Sequence, residues 1–221
     1  ERPLLEPAVA RGRQAVDLES LLARANRGAQ VVDTRDPETF AAGHLAGSLN
    51  IGLDGKFATW AGTVLDLVRP VLVIAEPGRE EEAVLRLGRI GIDSVEGVLE
   101  GGAEAFLGRP ELVARFERLE AAGLEGELQG PEPPVVLDVR APGEHAAGHL
   151  ESALHLPLGE LAGRLEEVPR DRSVVVHCAG GYRSVIAISL LQRAGFEGLR
   201  DLRGGFAAWE AAGLPVVAPA T

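Results

Sequence analysis

"VVVHCAGGYRSVIAISLL", residues 174–191, carries the only cysteine of a 221-residue chain. Three β-branched apolar residues lead in, two glycines follow Cys178, and a longer apolar run leaves the loop. A short apolar run bounded by glycine reads as a buried strand, and the longer run after the loop reads as a helix. The stretch predicts a strand over 174–177, a tight loop from Cys178 to Arg183, and a helix over 184–194. In parallel α/β sheets, sites form outside the carboxyl ends of the strands, where such loops lie.

Working outward, similar apolar runs occur at 31–33, 71–74 and 135–138, and helical stretches at 17–27, 80–90 and 160–167. Short continuous strands alternating with helices predict an α/β fold with a mostly parallel central sheet covered by helices on both faces. The pattern occurs twice. "VVDTRDPETFAAGHLAGSLNI" at 31–51 aligns with "VLDVRAPGEHAAGHLESALHL" at 136–156, pairing Asp33 with Asp138, Arg35 with Arg140 and His44 with His149. "PVLVIAEPGREEEAVLRLGRIGI" at 70–92 aligns with 174–196, placing Ile74 at the Cys178 position and Arg79 at that of Arg183. "LEGGAEAF" at 99–106 aligns with "LRGGFAAW" at 202–209, which sets Phe106 against Trp209; those two and Phe206 are expected in the core.

Leu112, Phe116 and Leu119 have helical spacing, which predicts a helix from Pro110 to Ala122 stopped by Gly123. Gly126 to Pro134 reads as a linker. The expected domains are 1–127 and 128–221, the first non-catalytic because it lacks a thiol, with Glu76 and Glu80–Glu82 repelling anions. It would serve as a packing partner, a docking surface or part of the substrate cleft.

A net charge of −11 without a basic stripe argues against nucleic acid as a partner. No apolar stretch is long enough to span a bilayer, and the start lacks a signal-peptide core. A single cysteine builds no intrachain disulfide, which points to a reducing, cytoplasmic setting. The chain has no methionine, so it is expected to be a processed or excised piece of a longer protein.

A buried cysteine is commonly an inert small hydrophobe. Against that reading, a helix N-terminus favours the thiolate of a cysteine held there. Gly180 and Gly181 let successive N–H groups turn inward as an anion nest, and Arg183 adds a cation at the rim. Cys178 is therefore the candidate nucleophile, with Ala179, Gly180, Gly181, Tyr182, Arg183 and Ser184 as the substrate-binding loop. Asp138 and Arg140 are expected to support it as an ion pair or loop brace at the sheet edge, with substrate contact as the alternative. His177 lies next to the nucleophile but should point away from it within a strand. His145 and His149 have a spacing that can bind metal, but Gly148 and the Phe40 counterpart favour a ring-filling role. His44 and His149 are expected to fix the turn after the first strand. Neither a metal nor a cofactor is expected.

"CAGGYRS", "DVRAPGEHAAGHLESALHLP" and "LRGGFAAWEAAGLPV" together resemble a rhodanese (sulfurtransferase) domain, and the resemblance covers nearly all of both repeats. It implies that Cys178 takes a sulfane sulfur as a persulfide cradled by the N–H groups of 179–183. The donor would be thiosulfate or a small persulfide, and the acceptor a thiol, sulfite or cyanide. Cys-dependent phosphatases and arsenate reductases resemble this loop less, because they place five residues between Cys and Arg where this chain has four. "NIGLDGKFATWAG" at 50–62 is similar to the first rhodanese-like domain of bacterial metallo-β-lactamase–rhodanese fusions. That likeness implies a covalently fused metallo-hydrolase domain as a partner, with a non-enzymatic sulfur-carrying or docking module as the alternative role.

Overall fold

The computed structural model describes residues 12–217. The chain divides into two compact units between Arg115 and Phe116. In the first, strands β1 (Ala15–Val16), β2 (Gln30–Asp33), β4 (Leu49–Asn50), β5 (Val71–Ile74) and β6 (Val95–Leu99) form a parallel sheet of order β1-β6-β5-β2-β4. Helices α1 (Leu18–Asn26), α2 (Pro37–Ala42), α3 (Phe57–Val64), α4 (Glu80–Arg89) and α5 (Glu104–Leu107) connect them. A small antiparallel pair joins β3 (His44–Leu45) to β7 (Val113–Ala114).

The second unit repeats this plan. Strands β8 (Glu117–Leu119), β9 (Val135–Asp138), β10 (Leu154–His155), β11 (Val174–His177) and β12 (Leu199–Leu202) are parallel, in the order β10-β9-β11-β12-β8. Reversed, that is strand for strand the order of the first sheet. Helices α6 (Ala121–Leu128), α7 (Pro142–Ala147), α8 (Leu158–Leu161), α9 (Arg183–Arg193) and α10 (Gly205–Ala211) accompany it. The expected α/β architecture is present twice. Among the described residues no helix is long and apolar enough to cross a membrane.

Local chemistry explains the elements. The four residues of each of β2, β5 and β11 are all buried, as strands covered on both faces must be. Asp17 and Asp36 cap α1 and α2 by accepting N–H groups of the first turn, each stabilising its helix by about 1 kcal/mol. The first core gathers Leu21, Leu72, Ile74, Leu99 and Phe106; the second gathers Leu124, Val136, Val175, Leu202, Phe206 and Trp209.

Four expectations are corrected. The segment 110–122 is not one helix: a 3-10 turn covers Pro110–Leu112, then come β7, β8 and the start of α6. Glu117–Leu119 finds a distant partner in Arg200–Leu202, so strand pairing overrides the helical spacing. Gly123 and Gly126 lie inside α6, and the boundary moves from 127/128 to 115/116. The helix expected over 160–167 is split into α8 and a 3-10 turn at Leu165–Glu167.

The fourth correction concerns the repeat itself. β2 pairs Asp33 with Ile74, and β9 pairs Asp138 with His177, so Ile74 corresponds to His177. Ala75 therefore stands where the second unit has Cys178. Gly78 (φ 86°) then matches Gly181 (φ 89°), and the pair Gly101–Gly102 matches Gly204–Gly205, again with nearly equal positive φ. In the same frame Arg79 corresponds to Tyr182, and Glu80 to Arg183.

Candidate active site

Cys178 leaves the carboxyl end of β11 and is 1% exposed. The Gly181 N–H donates to its Sγ at 3.1 Å, and the buried Ser184 hydroxyl, in the first turn of α9, lies 3.7 Å from the sulfur. Only glycine adopts the φ of +89° at 181 without strain, and that turn folds the loop back over the sulfur. Ala179, Tyr182 and Arg183 are half-buried, and Gly180 is exposed. Of the expected loop residues, the Gly181 N–H and the Ser184 hydroxyl are thus set against the thiol.

The loop is held from outside by main chain. The Phe206 N–H donates to the Cys178 carbonyl at 2.7 Å, and the Ala207 N–H to the Ala179 carbonyl at 3.0 Å. Both donors belong to the first turn of α10, whose entry is bent by Gly204 and Gly205.

Arg183 is not an open cation. Its two terminal nitrogens each lie 2.6 Å from a Glu144 oxygen, and Glu144 also accepts the Ala141 N–H at 3.0 Å. The guanidinium holds the Glu144 carboxyl at a pKa of about 2, so it is ionised at every working pH. Glu144 is the neighbour of the loop that sequence reasoning missed. The first unit carries Thr39 and Glu80 in the places of Glu144 and Arg183, so a repeat comparison in the corrected frame marks both residues. In that unit Arg79 is consumed by Asp54 at 2.9 Å and by Glu82, well away from any thiol role.

Asp138 and Arg140 form a buried bidentate pair, and Arg140 also donates to the Gly148 carbonyl at 2.8 Å while lying over the Phe206 ring. Burial pushes the Asp138 carboxyl up, but the Arg140 hydrogen bonds and His177 outweigh it and leave it lowered. Asp33, Arg35 and the Gly43 carbonyl repeat the arrangement in the thiol-free unit. A pair present with and without the thiol is a brace for the fold.

His149 and His44 each use Nδ1 on the carbonyl four residues back, His145 and Phe40 respectively, and so fix the turn after α7 and α2. His145 stacks on His149 at 4.0 Å and on His155 at 4.1 Å, as Phe40 stacks on His44. His145 is thus an aromatic filler.

His177 is fully buried, with Nδ1 3.3 Å from the Cys178 carbonyl rather than against the sulfur. Burial lowers its pKa to about 4, although Asp138, 3.7 Å away, works in the opposite direction. Because the folded value lies below that of a free imidazole, the unfolded chain takes the proton first. Stability is full above about pH 6.5 and falls as pH drops toward 4, by up to about 3 kcal/mol. His177→Phe should flatten that part of the stability–pH curve, measured by urea unfolding at pH 7 and pH 4.5; an unchanged slope would refute the assignment.

Each unit is an α/β domain, and the second holds one thiol in a glycine loop between a central parallel strand and the next helix. The rhodanese-like domain model matches residues 17–109 and 120–212, and the chain belongs to that family. A sulfurtransferase of Allochromatium vinosum is 39% identical over 101 residues, which is 46% of this chain and 94% of that protein. A thiosulfate sulfurtransferase of Pseudoalteromonas translucida is 36% identical over 86 residues, 39% of this chain and 82% of that protein. The crystal structure of a rhodanese-related protein from Thermoplasma volcanium is 32% identical, with a TM-score of 0.43, and covers 46% of this chain and 98% of that one.

Proposed function

We propose that the second unit transfers sulfane sulfur through a Cys178 persulfide, and that the first unit is non-catalytic. The observation that carries this reading is the Gly181 N–H aimed at Sγ from 3.1 Å inside a loop that also holds Ser184 and Arg183. The family and the sulfurtransferase relatives support the same class of reaction. The Cys178 thiolate attacks the outer sulfur of thiosulfate, forming a new S–S bond while sulfite leaves with the electrons of the old one. With a small persulfide as donor, the leaving group is its thiolate. An acceptor thiolate, sulfite or cyanide then attacks the outer sulfur, and the Cys178 thiolate returns. Negative charge moves through the sulfur in both halves, and the loop N–H stabilises it there.

The test is mass spectrometry of the chain after exposure to thiosulfate or to glutathione persulfide. Cys178 is expected to gain one sulfur atom and lose it to an acceptor; no gain with either donor would overturn the reading. Uptake that is released only to a protein acceptor would instead mark a sulfur carrier.

Glu144 shapes which donor is used. Its carboxylate neutralises the Arg183 guanidinium, so Glu144→Gln should free that cation and lower KM for dianionic thiosulfate. One partly exposed charge contributes about 1 kcal/mol, or about fivefold. Steady-state kinetics with thiosulfate checks this, and a raised KM would show that Arg183 needs Glu144 for its orientation.

A further inference from the structure

Beside the Cys178 loop lies an ion pair that the reaction described above does not use. Arg118, on edge strand β8, donates from Nε to Asp201 Oδ2 at 2.7 Å. Asp201 lies in β12, is fully buried, and is the register partner of Arg118. The far end of the same guanidinium lies against the loop: a Cβ on Gly181 would fall 2.9 Å from Arg118 Nη2 and 3.5 Å from the Gly204 nitrogen. Arg118 therefore packs on the residue whose main-chain N–H donates to the sulfur.

The first unit shows that the fold does not need this pair. The equivalent register partners in β1 and β6 are Ala15 and Val98. The glycine at the turn is kept there, as Gly78, and so is the Asp33–Arg35 brace. What is missing is the thiol, at Ala75, together with both members of the ion pair. A buried charge pair is an expensive way to fill a place that an alanine and a valine fill in the other copy. Its presence only in the thiol-bearing unit ties it to the loop's task.

We propose that Arg118, anchored by Asp201, is a positioning residue for the sulfur site, pinning Gly181 so that its N–H stays directed at the Cys178 sulfur. Arg118 touches no reacting atom in this role. The proposal rests on Cys178 being the sulfur acceptor as far as rate is concerned, but the pinning of Gly181 stands apart from it.

The test uses the full chain with the substitutions Arg118→Ala and Asp201→Val made together, which install the residues of the first unit. With glutathione persulfide as donor and sulfite as acceptor, kcat should fall by about tenfold to hundredfold while KM stays within about twofold. Arg118→Lys, which keeps the charge, should recover part of the rate. Hydrogen exchange at the Gly181 amide should quicken by about tenfold or more, with the amides of β9 and β11 unchanged. A folded double variant with unaltered kcat and unaltered Gly181 exchange overturns the proposal. If the unmodified chain takes up no sulfur, the function assigned to Cys178 fails, and the Gly181 exchange rate still decides whether Arg118 pins the loop. Should the double variant not fold, Arg118→Gln against Arg118→Lys makes the same comparison.

Discussion

Cys178→Ser is expected to give a folded chain with no measurable sulfur transfer. The exchange swaps sulfur for oxygen in a 1% exposed position whose surroundings stay the same, so the thermal midpoint should move by only a few degrees. Chemistry changes far more. A serine hydroxyl forms no persulfide analogue under these conditions, and no general base lies beside it to activate it, since His177 turns toward the carbonyl. The chain has no second cysteine to take over the role. The rate should drop by at least about a thousandfold, equivalent to about 4 kcal/mol of barrier. Turnover with thiosulfate and with glutathione persulfide, measured beside a melting curve, checks both halves of the statement. Residual activity above a few per cent in the serine variant would mean that the sulfur is carried elsewhere.

The second large effect is expected at a residue that takes no part in the chemistry. A Cβ on Gly205 would sit 2.4 Å from the Cys178 carbonyl oxygen and 2.9 Å from the Ala179 carbonyl carbon, and the residue has φ +59°. All of those neighbours are main chain, so no side chain can rotate away. Gly205→Ala must push α10 off the loop and stretch the hydrogen bonds from Phe206 and Ala207 to Cys178 and Ala179. Overpacking of about 1–3 kcal/mol and about 1 kcal/mol for each lost hydrogen bond sum to about 3–5 kcal/mol. Denaturant unfolding should show that loss, and the folded fraction should transfer sulfur slowly because the loop has shifted. A variant with unchanged stability would mean that α10 is not braced against the loop.

The duplication and the strand–loop–helix around Cys178 were legible because runs such as Val174–Val176 and Val135–Leu137 are buried on both faces and so carry a local apolar signal. The one-residue slip at Ile74 arose from matching Arg79 to Arg183, two arginines that the structure shows to be unrelated in role. Backbone conformation was the better guide: Gly78 and Gly181 share a positive φ, and the Gly101–Gly102 and Gly204–Gly205 pairs already lay at the offset that sheet register requires. β8 was hidden because three residues gain strand character only from a partner about 80 positions away. Glu144 and Arg118 escaped notice for the same reason, since each acts on a residue distant in sequence. Within the site, the residues adjacent in sequence to the thiol were readable, and those brought to it by the fold were not.

The two main-chain hydrogen bonds from α10 to the loop have a bearing on how such a domain changes over time. Because carbonyl oxygens of residues 178 and 179 are gripped by N–H groups, the anchoring is blind to side-chain identity at those positions. Selection can exchange the thiol or the residue after it while the attachment of the loop stays in place. A chain with two such sheets can hold one to its chemistry and let the other drift: in the first unit Ala75 and Glu76 stand at those positions and, among the described residues, no N–H of α5 reaches their carbonyls, yet the strand order is the same.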